Sequence, residues 1–278
     1  MPDKQRQFFN PPVQEEGRPA GDVKRKDPIT EDAVLGGRLR LQQPARGHRV
    51  GHDAILLAAA CPARAGERAV DLGAGVGAAG LALAARVPGT AVTLVEIDSR
   101  LAALAAENAQ LNGLAARIDT VVLDVGAPAR AFAAAGLDAD SIARVLMNPP
   151  FNDPRHQRSS PDRQRRLAHV AARETLVTWI RTATRLLRPR GTLSLIWRAD
   201  GLADVLAALG PAFGAVTVMP VHPKPGEPAV RILVRAAKAS RGPLALLPGL
   251  ILTDRSGSPT ADAEAVLREG AALSIADA

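Results

Sequence analysis

From residue 67 onward the chain alternates short apolar runs rich in β-branched residues with stretches of helical composition, and few folds accommodate that rhythm. ERAVDL (67–72), AVTLVEI (91–97), IDTVVLDV (118–125), ARVLMN (143–148) and TLSLIW (192–197) read as strands. GLALAARV, the stretch from Ser99 to Leu111 closed by Asn112-Gly113, an alanine-rich segment at 127–136 and a long segment from about Gln164 to Leu187 read as the helices between and after them. Strands and helices at this spacing form a parallel sheet with helices on both faces. Further on, GAVTVMPV and AVRILVRA flank the turn-rich HPKPGEP, which adds an antiparallel pair at one edge. The expected total is seven strands in a mostly parallel sheet.

Residues 1–28 mix Pro, Gly, Gln and charge without an apolar period, so they are expected to be a disordered or loosely attached arm. Residues 29–278 are expected to form a single domain with a short C-terminal appendage made of a turn at 255–259 and the helix-like ADAEAVLREGAAL. DAILLAAAC reads as a short helix capped by Asp53. A chain of 278 residues buries enough surface to need no covalent staples. Its single cysteine, Cys61, and the absence of a Cys/His cluster point to a reducing compartment and a metal-free fold. With no apolar leader and no run of ~18 apolar residues, the expected location is the cytoplasm. His48, His52, His156, His169 and His222 receive no catalytic role from the pattern around them.

The formal charge of +7 is concentrated in two stretches. Residues 38–49 carry +4 from Arg38, Arg40, Arg46 and Arg49; residues 155–173 carry +5, six arginines against Asp162; the rest of the chain is left with −2. Local basic patches on a slightly acidic body suit a polyanion. Aromatic residues are scarce: there is no tyrosine, and no Phe or Trp between Phe9 and Phe132, so base stacking falls to Phe151 or very few others.

The first strand runs into Asp71-Leu-Gly-Ala-Gly-Val-Gly77, where Gly73, Gly75 and Gly77 let backbone approach a ligand. Gly73 to Ala78 fits the dinucleotide pattern G-x-G-x-x-A, and Glu96 follows about 20 residues on to hold ribose hydroxyls, so NAD and S-adenosylmethionine both remain candidates. Asp71 tips the balance: a carboxylate at the strand end repels a pyrophosphate but receives the ammonium of an amino acid moiety. Asp124 closes the third strand and could accept from an adenine amino group, although a polar residue facing water explains it as well. Asp98 competes with Glu96 and ranks second.

Asn148-Pro149-Pro150-Phe151 follows the fourth strand directly. Two prolines lock the backbone and remove two donors, leaving the Asn148 side-chain oxygen and the Pro149 carbonyl as outward acceptors. Such a pair suits an amino group whose lone pair is delocalised, because bonding both hydrogens frees that lone pair for attack on a methyl group. Phe151 offers a face for a flipped base, worth about 1 to 3 kcal/mol.

DLGAGVG, VEID, VLD and NPPF, in this order and spacing, resemble the class I S-adenosylmethionine-dependent methyltransferases of the N-methylating branch, a Rossmann-like fold. The segments TEDAVLGGRLRLQQPARGHRVGHDAILLAAA and PVHPKPGEPAVRILVRAAKAS are similar to those of bacterial tRNA adenine-N6-methyltransferases of the tRNA1(Val) type, over about residues 30–255. The resemblance implies that Asp71, Gly73, Gly75, Glu96 and Asp124 hold the cofactor, with His52 or Asp53 beside its methionine end. It also implies that Asn148, Pro149 and Phe151 hold the base. Ala74 and Val76 stand where family members often carry Cys, Ser or Thr, and Phe151 where they often carry Tyr. RNA, most simply tRNA, is the expected partner, gripped by Arg46, Arg49, Arg155, Arg158, Arg163, Arg165 and Arg166. A guanine-N2 methyltransferase of ribosomal RNA and a glutamine-N5 methyltransferase of release factors are the alternatives, since an amide poses the same lone-pair problem.

Overall fold

The computed structural model describes residues 28–46, 49–150 and 162–277, with 162–170 described by backbone alone. The expected arm at 1–28 lies almost wholly outside the described residues, as does Phe151.

An antiparallel hairpin, β1 (Ile29–Val34) and β2 (Leu39–Pro44), opens the chain. The α/β alternation follows: α1 (His52–Ala60), β3 (Arg68–Leu72), α2 (Ala78–Arg86), β4 (Ala91–Glu96), α3 (Ser99–Leu111), β5 (Ile118–Val122), α4 (Ala129–Ala134), β6 (Ile142–Met147), α5 (Asp162–Leu186) and β7 (Leu187–Arg198). After α6 (Leu202–Leu209) come β8 (Phe213–His222), β9 (Arg231–Lys238), the two-residue strands β10 (Ala245–Leu246) and β11 (Leu250–Ile251), and α7 (Ala261–Leu267).

The sheet order is β10-β8-β9-β7-β6-β3-β4-β5, with β11 also on β8. The alternation predicts this α/β architecture, and the sheet holds the seven expected strands plus β10 and β11, short pieces of the tail pairing parallel to β8. β9 inserts antiparallel between β7 and β8, so β8 runs with the rest of the sheet.

Side chains alternate across the sheet as the pleat demands. Ala69 and Leu146 point to a core shared with α1, α2 and the tail residues Val266, Leu273 and Ile275. Val70, Leu72, Val145 and Met147 point to a second core under α4, α5 and α6.

Two local expectations are corrected, and one element was not expected. The helix at His52 has Gly51 as its N-cap with no side-chain capping bond, because the Asp53 carboxylate is drawn to Arg231 instead (Nε to Oδ2, 2.9 Å). The strand expected at 192–197 starts earlier, at Leu187, with Arg190 inside it at φ +62°. The hairpin carries no strong strand signal in its sequence, and its outer edge is completed from afar. Arg40 N–H donates to Asn112 Oδ1 (2.8 Å) and Gln42 N–H to Asn108 Oδ1 (2.7 Å), while both amides donate back to the same residues' carbonyls. Two asparagines, Asn108 in the last turn of α3 and Asn112 at its C-cap, thus stand in for a third strand.

Candidate active site

The turn after β3 is built on glycines with positive φ: +69° at Gly73, +57° at Gly75 and +88° at Gly77. Gly73 and Ala74 N–H both donate to Val95 O of β4 (2.8 and 3.0 Å), and Gly77 N–H donates to Ala74 O (2.8 Å). The three positions face different surroundings. A Cβ on Gly73 would overlap the Trp179 ring on α5, and one on Gly77 would stand 2.9 Å from Leu94. At Gly75 nothing lies within 4 Å, so among the three it is the one whose bare backbone opens outward.

Glu96 ends β4, 7% exposed. Its Oε2 accepts from Gly75 N–H (2.8 Å) and its Oε1 from Asp98 N–H (2.9 Å). Each oxygen keeps a lone pair for a further donor, so the carboxylate shapes the turn while remaining able to receive ribose hydroxyls. Asp98 is the N-cap of α3, with Oδ1 accepting from Arg100 and Leu101 N–H, which gives it a structural task.

Asp71 lies underneath the turn. It is 3% exposed, and its Oδ2 accepts from Gly80 N–H in the first turn of α2 (2.8 Å). Burial pushes its pKa up to about 7; the Gly80 bond pulls it down and the charge of Glu96 adds to the rise. A proton held more tightly in the folded chain contributes stability that is present below about pH 4 and lost as pH rises to about 7. Urea unfolding of the wild type and Asp71→Asn from pH 4 to 8 should therefore show the wild type losing stability relative to the variant, by at most ~4 kcal/mol, and running parallel to it above about pH 7. Parallel curves throughout would refute the shift.

Asp124 stands two residues beyond β5, exposed, with Oδ1 on Gly126 N–H (2.7 Å). Around it the structure reveals what sequence reading missed. Ile97 (64% exposed) and Val122 (57%) are large apolar side chains left bare at the carboxyl edge, and Val122 is the strand partner of Glu96. The signal available in the sequence was an isoleucine following the acid that ends a strand.

On the other side of β3, Leu72 pairs with Met147 of β6, so Asn148 follows the strand partner of Leu72 as Gly73 follows Leu72. Adjacent strands lie about 4.8 Å apart, which places the asparagine beside the glycine turn. This is where strand order reverses, β6 to one side of β3 and β4 to the other. Asn148 Oδ1 is buried without a hydrogen-bond partner among the described residues, and Pro149 is buried. An unpaired buried acceptor costs about 1–3 kcal/mol, a cost offset when a donor binds.

The remaining candidates fall as follows. Asp53 is paired with Arg231, the first residue of β9, three strands from β3. Arg49 is tied to Asp32 Oδ2 (2.5 Å) and Thr30 Oγ1 (3.1 Å), and Arg40 to Glu31, so acids on β1 offset part of the first basic stretch. Arg46 is exposed beyond β2. Arg155 and Arg158 lie outside the described residues; Arg163, Arg165 and Arg166 fall on the first turns of α5, their side chains not described. Among the described residues no three His, Cys, Asp or Glu side chains gather as a metal would require, and no helix is long and apolar enough to cross a membrane.

A glycine turn open at its middle residue, an acid closing the next strand and an unpaired asparagine beside the turn define a class I S-adenosylmethionine-dependent methyltransferase. The chain belongs to the methyltransferase small domain family, whose model matches residues 48–224. It is similar to a predicted O-methyltransferase of Agrobacterium tumefaciens of known crystal structure, 35% identical with a TM-score of 0.67, over 80% of this chain and 98% of that one. It is 33% identical to a tRNA1(Val) (adenine(37)-N6)-methyltransferase of Porphyromonas gingivalis over 60% of this chain and 66% of the relative. A release factor glutamine methyltransferase of Chlorobaculum tepidum is 31% identical over 54% of this chain and 52% of the relative. The chain spans about two thirds of the first of these curated relatives and about half of the second.

Proposed function

We propose that the chain methylates the exocyclic N6 of an adenine in tRNA, the acceptor named for the Porphyromonas gingivalis relative. The observation that carries this reading is the buried Asn148 Oδ1 next to the glycine turn, without a partner among the described residues. Gly75 and Glu96 fit S-adenosylmethionine: a cradle that any side chain would fill, and a carboxylate with capacity for two hydroxyls. Asp71 balances the amino acid end from below, and Ile97 with Val122 takes the adenine ring that Asp124 can bond at its edge. Bound there, S-adenosylmethionine supplies an electrophilic methyl group.

Asn148 Oδ1 and the Pro149 carbonyl accept the two hydrogens of the target amino group. With both hydrogens held, the nitrogen lone pair is drawn out of conjugation with the ring and directed toward the glycine turn. Neither acceptor needs to be a strong base, because the nitrogen becomes acidic only once it carries the new methyl; its proton then leaves along the same hydrogen bonds to water. Phe151 stacks the extruded base. Arg46, Arg155, Arg158 and the start of α5 with Arg163, Arg165 and Arg166 take RNA phosphates on either side, with Arg49 held in reserve by Asp32. On this reading residues 29–278 work as one domain behind the arm at 1–28, in the cytoplasm where tRNA is.

The release factor relative supports a second reading, a glutamine side-chain amide in place of the base. Incubation with unmodified tRNA or a release factor, followed by mass spectrometry of nucleosides and peptides, separates the two. N6-methyladenosine in tRNA is expected. Methylglutamine with unmethylated tRNA would replace the proposal with the second reading, and N2-methylguanosine would move the acceptor to guanine.

A further inference from the structure

Asn108 lies in the last turn of α3, fully buried, and every polar atom of its side chain is used. Its Oδ1 accepts from Gln42 N–H (2.7 Å); its Nδ2 donates to Gln42 O (3.0 Å) and also to Val76 O (3.0 Å), the carbonyl between Gly75 and Gly77 of the glycine turn. One amide therefore joins the hairpin to the cofactor turn. On the hairpin side the connection continues. Gln43, next to Gln42 and 2% exposed, accepts from Val50 N–H through Oε1 (2.9 Å) and donates to Asp32, which also holds Arg49. On the turn side, Gly75 N–H is held by Glu96. Hydrogen bonds joined through the Gln42–Gln43 and Gly75–Val76 backbone thus connect the segment at 49–50 to the acid at the end of β4.

Asn112 supplies an internal comparison. As the C-cap of α3, four residues on, it grips Arg40 as Asn108 grips Gln42, with bonds of 2.8 and 2.7 Å, yet its remaining side-chain bond goes to Asn108 O and none reaches the glycine turn. Two residues thus share the same hairpin-binding geometry, and one of them also touches the turn.

We propose that Asn108 is a positioning residue: by anchoring the Val76 carbonyl to the hairpin it sets the glycine turn in its ligand-accepting shape and couples cofactor binding to the seating of β2. The proposal rests on S-adenosylmethionine binding at this turn, and its physical warrant is a buried network with two attached elements, not mere proximity.

Two measurements test it. In the ligand-free protein, amide hydrogen exchange at Gly77, whose peptide contains the Val76 carbonyl, should quicken at least tenfold in Asn108→Ala and less than twofold in Asn112→Ala. In the unmutated protein, adding S-adenosylhomocysteine should slow exchange at Gln42 N–H at least fivefold and leave Arg40 N–H within twofold. That second measurement needs no variant, so a poorly folding Asn108→Ala does not block the test. Calorimetry should show S-adenosylhomocysteine affinity reduced about tenfold by Asn108→Ala and within twofold of wild type in Asn112→Ala. Equal effects of the two substitutions, or equal responses of Gln42 and Arg40, would reduce Asn108 to a hairpin clamp and overturn the proposal. If the unmutated protein bound no S-adenosylhomocysteine, the cofactor assignment would fall, and the ligand-free exchange at Gly77 would still decide whether Asn108 holds the turn.

Discussion

Asn148→Ala is expected to lower kcat by ~10³-fold while leaving the S-adenosylhomocysteine Kd within about threefold of wild type. The separation follows from where the side chain stands. Asn148 follows β6, beside the turn without bonding to it, and its Oδ1 has no partner among the described residues, so removing it breaks no hydrogen bond that shapes Gly73–Gly77. What is lost is an acceptor whose bond strengthens as the target nitrogen becomes positive, an interaction that favours the transition state over the ground state. Removing a buried unpaired acceptor should also leave thermal stability unchanged or slightly raised. Asn148→Asp is an informative companion: it keeps an acceptor but introduces a charge and should recover part of the rate. Single-turnover kinetics on tRNA with calorimetry of cofactor binding measures both halves. Wild-type turnover in Asn148→Ala would end the lone-pair argument, and an equal loss of cofactor affinity would make Asn148 part of the turn.

Glu96→Ala should produce the opposite separation, a rise in cofactor Kd of about 100-fold or more, which corresponds to ~2.7 kcal/mol. Glu96 is buried and accepts from the backbone of Gly75 on one oxygen and of Asp98 on the other. Its removal therefore unties the middle of the glycine turn and the entry to α3 as well as withdrawing the acceptors for ribose hydroxyls. Glu96→Gln distinguishes these parts, since the amide keeps one acceptor oxygen. An intermediate Kd is expected for it, near tenfold above wild type. Titration of each variant with S-adenosylhomocysteine gives the comparison, and unchanged affinity in Glu96→Ala would place the ribose elsewhere.

The elements that could be read directly are those whose signal is local. Five strands and the glycine turn announce themselves through β-branched runs and a cluster of glycines within seven residues, and Asn148 is legible because two prolines after a strand leave few conformations open. The hairpin was not legible: residues 29–44 have weak strand character, and β2 is completed by amides 66 and 72 residues away, at the end of α3 and its C-cap. Asp53 reads as a helix cap because Asp before an apolar run usually is one, but Arg231, 178 residues later, competes for the same carboxylate and wins.

By itself the sequence determined the α/β alternation, the position of the glycine turn and the order in which Asp71, Glu96, Asp124 and Asn148 meet strand ends, because turn chemistry and strand propensity act over a few residues. The tertiary structure alone decided the division of labour among them. Gly73 and Gly77 make room for Trp179 and Leu94 while Gly75 opens outward; Asp71 lies beneath the turn; Arg49 is spoken for by Asp32; and Asn108 links hairpin to turn. Each of these depends on which distant side chain arrives within about 3–4 Å. That is set by how helices and strands pack across the two cores, and no window of neighbouring residues contains it.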